Sequence, residues 1–191
     1  MSRYRPPRPK SAPYITPEGY QRLQAELQDL WKNKRPAVTA KVAEAAAQGD
    51  RSENAEYTYG KKQLREIDAR IGFLSRRLDE LQVIDQLPKE RDRVFFGAWV
   101  VLEDEAGEEL IYRLVGADEY DTAPEYISID APLARALLGK HLDDDIQITE
   151  QIDHTRILKL GQKEKETSFS IIGIHYGTAP DLSPPDLNPA D

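Results

Sequence analysis

From Tyr57 to Leu81 the chain carries Tyr57, Gly60, Leu64, Ile67, Ile71, Leu74, Leu78 and Leu81, at intervals of 3, 4, 3, 4, 3, 4 and 3. This is a heptad seam, weak only at Gly60. A helix with so narrow an apolar stripe cannot bury it alone and needs a partner. The partner stands upstream. From Pro17 to about Ala47, the residues Leu23, Leu27, Leu30, Trp31, Val38, Val42 and Ala45 fit one stripe at helical spacing. Thr16-Pro17-Glu18 supplies an N-cap and a proline at the first helical position. Pro36 interrupts this segment, and because the stripe continues on both sides we expect one helix kinked there. Gln48-Gly49-Asp50 is the break. Each helix spans roughly 30 residues, hence roughly 45 Å at 1.5 Å per residue. Joined by a short turn they must run antiparallel, as a coiled-coil hairpin with its tip near residues 47 to 54.

The pattern changes near Leu87-Pro88. Val94 to Glu103, Glu109 to Val115, Tyr126 to Asp130, Ile146 to Thr149, Thr155 to Leu160 and Ser168 to Tyr176 read as strands. Asp104-Glu105-Ala106-Gly107 reads as a hairpin turn, and Pro132 to Leu138 as one short helix with Asp130 or Ala131 near its cap. The fold class is therefore α+β, a helical hairpin followed by a small antiparallel β domain. The expected divisions are a flexible basic arm at 1–13, the hairpin at 14–87, the β domain at 88–176 and a disordered acidic tail at 177–191.

Charge separates the same parts. The net charge of −8 hides sixteen Lys and Arg against twelve Asp and Glu through Leu87, and ten against twenty-two beyond it. A basic half suits nucleic acid and an acidic half suits a basic protein surface. The chain has no cysteine, which excludes disulfides, thiolate metal sites and cysteine nucleophiles. No apolar run has the length of a membrane span and the N-terminus lacks an apolar signal core, so the expected location is cytoplasmic.

The string Gly49-Asp50-Arg51-Ser52-Glu53-Asn54-Ala55-Glu56-Tyr57 holds the chemistry. One reading is local: Asp50 and Glu53, three apart, form an aspartate version of a capping box at the start of the second helix. The other is functional. Stepping the heptad back from Tyr57 puts Glu53 and then Asp50 in line with the seam at the end of the rod. Two carboxylates there can be delivered into a deep site on another molecule. Mg²⁺ prefers carboxylate oxygens but wants six ligands. Asp50 and Glu53 would bind it weakly alone and could complete the coordination of an ion partly held by a partner.

No rival site competes. His141, His154 and His175 are scattered and lack metal-ligand spacing, and no phosphate-binding glycine loop or nucleophile elbow is present. Lys61, Lys62, Arg65, Arg70, Arg76 and Arg77 follow the tip. They read either as a solvated face with ion pairs to Glu66 and Glu80, or as a phosphate-tracking strip for single-stranded RNA aided by Tyr57 or Tyr59.

The tip string resembles the signature of the Gre family of transcript-cleavage factors. Leu30-Trp31, Arg35-Pro36-Ala37-Val38, Leu64-Arg65-Glu66-Ile67-Asp68, Phe95-Phe96-Gly97-Ala98-Trp99-Val100 and the run from Tyr126 to Leu137 carry the likeness, which spans residues 14 to about 149 with an echo at Ile171 to Tyr176. The resemblance implies an N-terminal coiled coil and a C-terminal FKBP-like domain that docks on the rim of the secondary channel of bacterial RNA polymerase. The hairpin then enters that channel. It implies that Asp50 and Glu53 are tip acids that help the polymerase hold a second Mg²⁺ and cleave the extruded 3′ end of the nascent RNA. On this reading Asn54 and Tyr57 are their neighbours, Lys61, Lys62, Arg65 and Arg70 face the RNA, and Asp130-Ala131-Pro132 is the docking loop. On this reading the chain alone is expected to bind no cofactor, to be monomeric and not to be an enzyme by itself. The alternatives are a Gre-like channel regulator without cleavage activity and an FKBP-type prolyl isomerase, which predicts a pocket lined by aromatics. Three departures stand out: the family usually has serine where this chain has Ala131, its members often carry a denser basic run, and here Glu150 to Glu166 is longer than expected for the last hairpin, with the acidic tail extra.

Overall fold

The computed structural model describes residues 10–47, 54–148 and 167–180. These fall into two compact units, one comprising residues 15–83 and the other residues 1–14 with 84–191. No helix among the described residues is long and apolar enough to cross a membrane.

The first unit is the helical hairpin. Two short strands, β1 (Tyr14–Ile15) and β2 (Gln82–Val83), pair where the chain enters and leaves it. Helix α1 (Pro17–Asp29) starts as the sequence dictates, with the Thr16 hydroxyl accepting the Gly19 N–H at 3.0 Å and Pro17 in the first turn. The helical path continues through a π turn at Leu30–Lys34 into α2 (Arg35–Ala47). The backbone stays right-handed helical at Asp29, Leu30 and Arg35, and the Arg35 N–H donates to the Leu30 carbonyl five residues back. Pro36 is thus met by a π turn just before it. Proline has no N–H, and its ring crowds the carbonyl four residues earlier, which here is Lys32 inside the π turn.

The extra residue of that turn is written in the sequence. Leu30 and Val38, both buried, stand eight apart, one more than a heptad. Trp31, expected in the stripe, is 59% exposed, and the Arg35 guanidinium lies over its ring at 5.7 Å. The π turn keeps Leu30 on the seam and leaves its neighbour outside.

Helix α3 (Ala55–Glu80) returns antiparallel. The seam buries Ile15, Leu23, Leu30, Val38, Ile67, Ile71 and Leu74, with Leu27, Val42, Leu64, Leu78 and Leu81 packed against them. Leu74 is fully buried, a contribution of roughly 1.5–3 kcal/mol for one such side chain. Ion pairs close the hairpin outside the seam. Arg70 forms a bidentate pair with Glu26 at 2.7 and 2.8 Å, and Arg35 meets Asp68 at 2.7 Å.

Gly60, the weak heptad position, is a point of close approach. A Cβ built there would stand 2.6 Å from Val42 Cγ2.

The second unit is a five-stranded sheet in the order β5-β4-β3-β7-β6, with β3 (Trp99–Asp104), β4 (Glu109–Val115), β5 (Tyr126–Ser128), β6 (Asp145–Ile148) and β7 (Thr167–His175). Short helix α4 (Pro132–Leu137) buries Leu133, Ala134 and Leu137 in the same core as Val100, Leu102, Tyr112, Leu114, Ile146, Phe169 and Ile171. The β3–β4 turn forms at the expected place, where Asp104 Oδ1 accepts the N–H groups of Ala106 and Glu108.

Three details differ from the sequence reading. The sheet is mixed: β5 pairs parallel with β4, whereas the other pairs are antiparallel. The segment 116–125 carries the chain across to make this possible. Buried Glu119 holds that segment by accepting the Gly116 N–H at 2.8 Å. The first strand begins at Trp99 and not at Val94. Gly97 has a φ of +83°, and Val94 exchanges backbone hydrogen bonds with Lys140 and Gly139, off the sheet. The expected strand at Thr155 to Leu160 lies outside the described residues.

Replacing Gly60 by Ala gains about 1 kcal/mol of helix propensity but overfills the Val42 contact at a cost of about 1–3 kcal/mol. We expect Gly60→Ala to lower the free energy of unfolding in urea, and to raise it when Val42→Ala has first made room. The change of sign is the test; two destabilising results would refute the close-contact explanation.

Candidate functional site at the hairpin end

The described residues that flank the tip are the last turn of α2 and the first of α3. Asp50 and Glu53 lie outside them. The cap of α3 is Asn54. Its Oδ1 accepts the Tyr57 N–H at 3.1 Å and its backbone is extended, with φ −85° and ψ 101°. The capping-box reading put Asp50 at the cap and Glu53 reaching back. Helix α3 begins later than the glycine break indicates, because Asn54 is as good a cap as Asp50 and stands immediately before Ala55. The Asn54 amide has a second partner: Nδ2 donates to the Ala45 carbonyl at 2.9 Å. Spacing alone did not disclose that bond, since it depends on where α2 ends against α3.

Beyond the cap, Tyr57 is half-buried, and the Lys61 ammonium sits 5.2 Å from the centre of its ring. Lys62 is 3.9 Å from Glu66, one turn on, with both side chains about two-thirds exposed. Arg65 is exposed. Arg70 is different. Its guanidinium is held by both oxygens of Glu26 and lies 5.3 Å from the Phe73 ring. The four positions expected to face the RNA thus comprise three residues near the tip and one that joins the two helices. Arg70 holds the Glu26 carboxyl below the usual carboxylate range.

In the β domain, Asp130, Ala131 and Pro132 form the strand-to-helix corner. Asp130 Oδ2 accepts the Ala12 N–H at 2.9 Å, and its Oδ1 is 4.0 Å from Arg135. Ala131 occupies the N-cap of α4 with no side-chain cap bond, and Pro132 opens the helix. The Trp99 and Tyr126 rings meet edge to face with their centroids 5.9 Å apart. Arg113 lies over both rings, at 5.7 and 5.3 Å, and donates to the Tyr126 hydroxyl at 2.8 Å. A cavity of about 340 Å³ is lined by Arg91, Ile174, His175, Tyr176, Thr178, Ala179 and Pro180. Its one benzenoid ring is Tyr176, so the aromatic-lined pocket that prolyl isomerisation predicts is not found there.

Residues 13–83 match the family described as transcription elongation factor, N-terminal, and residues 88–162 match the GreA/GreB C-terminal family. A transcription elongation factor GreB from Pseudomonas aeruginosa is 61% identical over 148 residues, covering 78% of this chain and 88% of that one. The chain belongs to the GreA/GreB family of transcription elongation factors. Another relative, GreB from Pasteurella multocida, is 60% identical over 135 residues, covering 71% of this chain and 85% of its own length. Among solved structures, a GreA/GreB factor from Nitrosomonas europaea aligns over 86% of this chain and all of its own, at 21% identity and a TM-score of 0.38.

Two outcomes are expected. The depressed Glu26 pKa means that the Arg70 pair contributes stability above about pH 4.3, the ordinary glutamate value, and loses it as pH falls through the lower folded value. Both side chains are more than a third exposed, so Arg70→Ala should cost only about 0.2–1 kcal/mol at neutral pH. That difference should shrink in high salt and fall away as pH drops through the lowered Glu26 value, as followed by thermal melting of both chains. Separately, Ala131→Ser should supply the missing cap of α4 and raise stability by about 1 kcal/mol, measured by urea unfolding.

Proposed function

We propose that this elongation factor stimulates RNA polymerase to cleave its own backtracked transcript, with Asp50 and Glu53 as the acids it contributes. The observation that carries the reading is the place of the acid-bearing string, which connects the ends of two helices paired along a common seam. Family membership supplies the reaction. The capping role at α3 belongs to Asn54, so the helix start requires neither acid.

The donor set fits a hard divalent cation. Two carboxylates suit Mg²⁺ but fall short of six ligands, which matches an ion shared with the polymerase better than one carried by the factor. When bound, Mg²⁺ orients and activates a water against the phosphodiester. Asp50 and Glu53 supply negative oxygen donors there, and the paired helices resist bending of the arm that presents them. Lys61, Lys62 and Arg65 lie on α3 within three turns of its start, where they can neutralise RNA phosphates. Tyr57 offers a ring beside them. Arg70, committed to Glu26, serves the arm first. The Asp130-Ala131-Pro132 corner is the docking contact to the polymerase secondary-channel rim, and the protein acts in the cytoplasm. The factor is an accessory to the polymerase nuclease and holds no complete active site of its own.

In stalled elongation complexes with Mg²⁺, Asp50→Asn with Glu53→Gln should reduce stimulated cleavage at least about a hundredfold, the scale of losing a positioned ion and its water. The variant should still compete with the unmodified factor for the polymerase. Full cleavage by the double variant would sink the mechanism.

A further inference from the structure

The last four carbonyls of a helix and its first four N–H groups have no partners within the helix. Asn54 serves one of each, from two different helices. Its Oδ1 takes the Tyr57 N–H at the start of α3, and its Nδ2 gives a proton to the carbonyl of Ala45 in the last turn of α2. Ala45 is 3% exposed and Asn54 is half-buried, so the bond to Ala45 is partly shielded from competing water. Capping alone does not require an amide, because Asp, Ser and Thr cap through an acceptor oxygen. Donating at the same time does. A carboxylate has no proton to give at neutral pH, and a serine hydroxyl is one bond shorter.

The consequence concerns what lies between. The Asn54–Ala45 bond joins positions nine apart and so ties both ends of the eight-residue connection that contains Asp50 and Glu53. The close seam contact of Val42 with Gly60 lies farther from the tip. We infer that Asn54 is a positioning residue for transcript cleavage, a two-ended staple that fixes the end of α2 against the start of α3. The tip acids are then presented from one defined base. The inference rests on the cleavage reading above, since a positioning role needs acids to position. Misplacing a reacting group by about 1 Å can cost a hundredfold in rate, so the donor half of one amide is enough to matter.

The test uses the full chain, purified polymerase stalled in a backtracked complex, and Mg²⁺ as the titrated ion. Asn54→Ser keeps a cap acceptor and loses the donor. At saturating factor it should cut the maximal cleavage rate at least about tenfold and raise the Mg²⁺ concentration for half-maximal rate. The factor concentration for half-saturation should be unchanged. Asn54→Asp also caps without donating and should behave the same way; it carries the comparison if circular dichroism shows the serine variant to be misfolded. A wild-type maximal rate in both variants overturns the staple, and so does a change confined to half-saturation, which would mark a binding role. Asp50→Asn with Glu53→Gln, run alongside, separates the two ideas. If that variant is inactive while Asn54→Ser is normal, the cleavage reading stands and the staple fails. If it cleaves normally, the cleavage reading fails and takes the staple with it.

Discussion

Everything in the hairpin depends on burial of two half-stripes against each other. Neither α1–α2 nor α3 carries enough apolar surface to stand alone in water. Joined, they bury Leu23, Leu30, Val38, Ile67, Ile71 and Leu74 along one line. The ion pairs Arg70–Glu26 and Arg35–Asp68 hang on that line and do not create it, because exposed pairs of this kind are worth little by themselves. Gly60 lets the helices approach near the distal end, and the Asn54 amide then closes the last gap between backbone groups. The arm is stiffened in that order, apolar seam first and polar ends last.

Much of this was legible in the residues. The 3,4 spacing from Tyr57 to Leu81 and the stripe from Leu23 to Ala45 gave the two faces of the seam, and the short break at Gln48-Gly49-Asp50 gave their antiparallel pairing. Thr16-Pro17 gave the start of α1 to the residue. Local polar chemistry was harder to read. Asp50 and Asn54 are equally good caps in isolation, and it is Asn54 that caps α3. Trp31 looked like core because it fits the helical spacing of the stripe. It is turned outward by a π turn whose sequence trace, the eight-residue step from Leu30 to Val38, is visible once sought.

The β domain shows the same division. Strand positions followed from β-branched runs, but the parallel pairing of β5 did not, since period-two patterns are blind to strand direction. Val94 to Ala98 reads as strand by composition, yet Gly97 turns the backbone and Val94 finds its partners at Gly139 and Lys140. The Asp130 corner was placed correctly as the start of α4. Its carboxylate, however, also receives the Ala12 N–H, a contact across more than a hundred residues that no local motif could announce.

The π turn before Pro36 has a rotational meaning. An α-helix turns about 100° per residue, so one residue added to or removed from Leu30–Lys34 changes the azimuth of everything distal by that amount. The spacing across the turn, eight positions where a heptad would give seven, is therefore a phase setting. The face of α2 that meets α3, and with it the direction from which Ala45 receives Asn54, is chosen by a count made about a dozen residues earlier. An insertion there would leave composition and helix content almost untouched while turning the working end of the arm away from its partner helix.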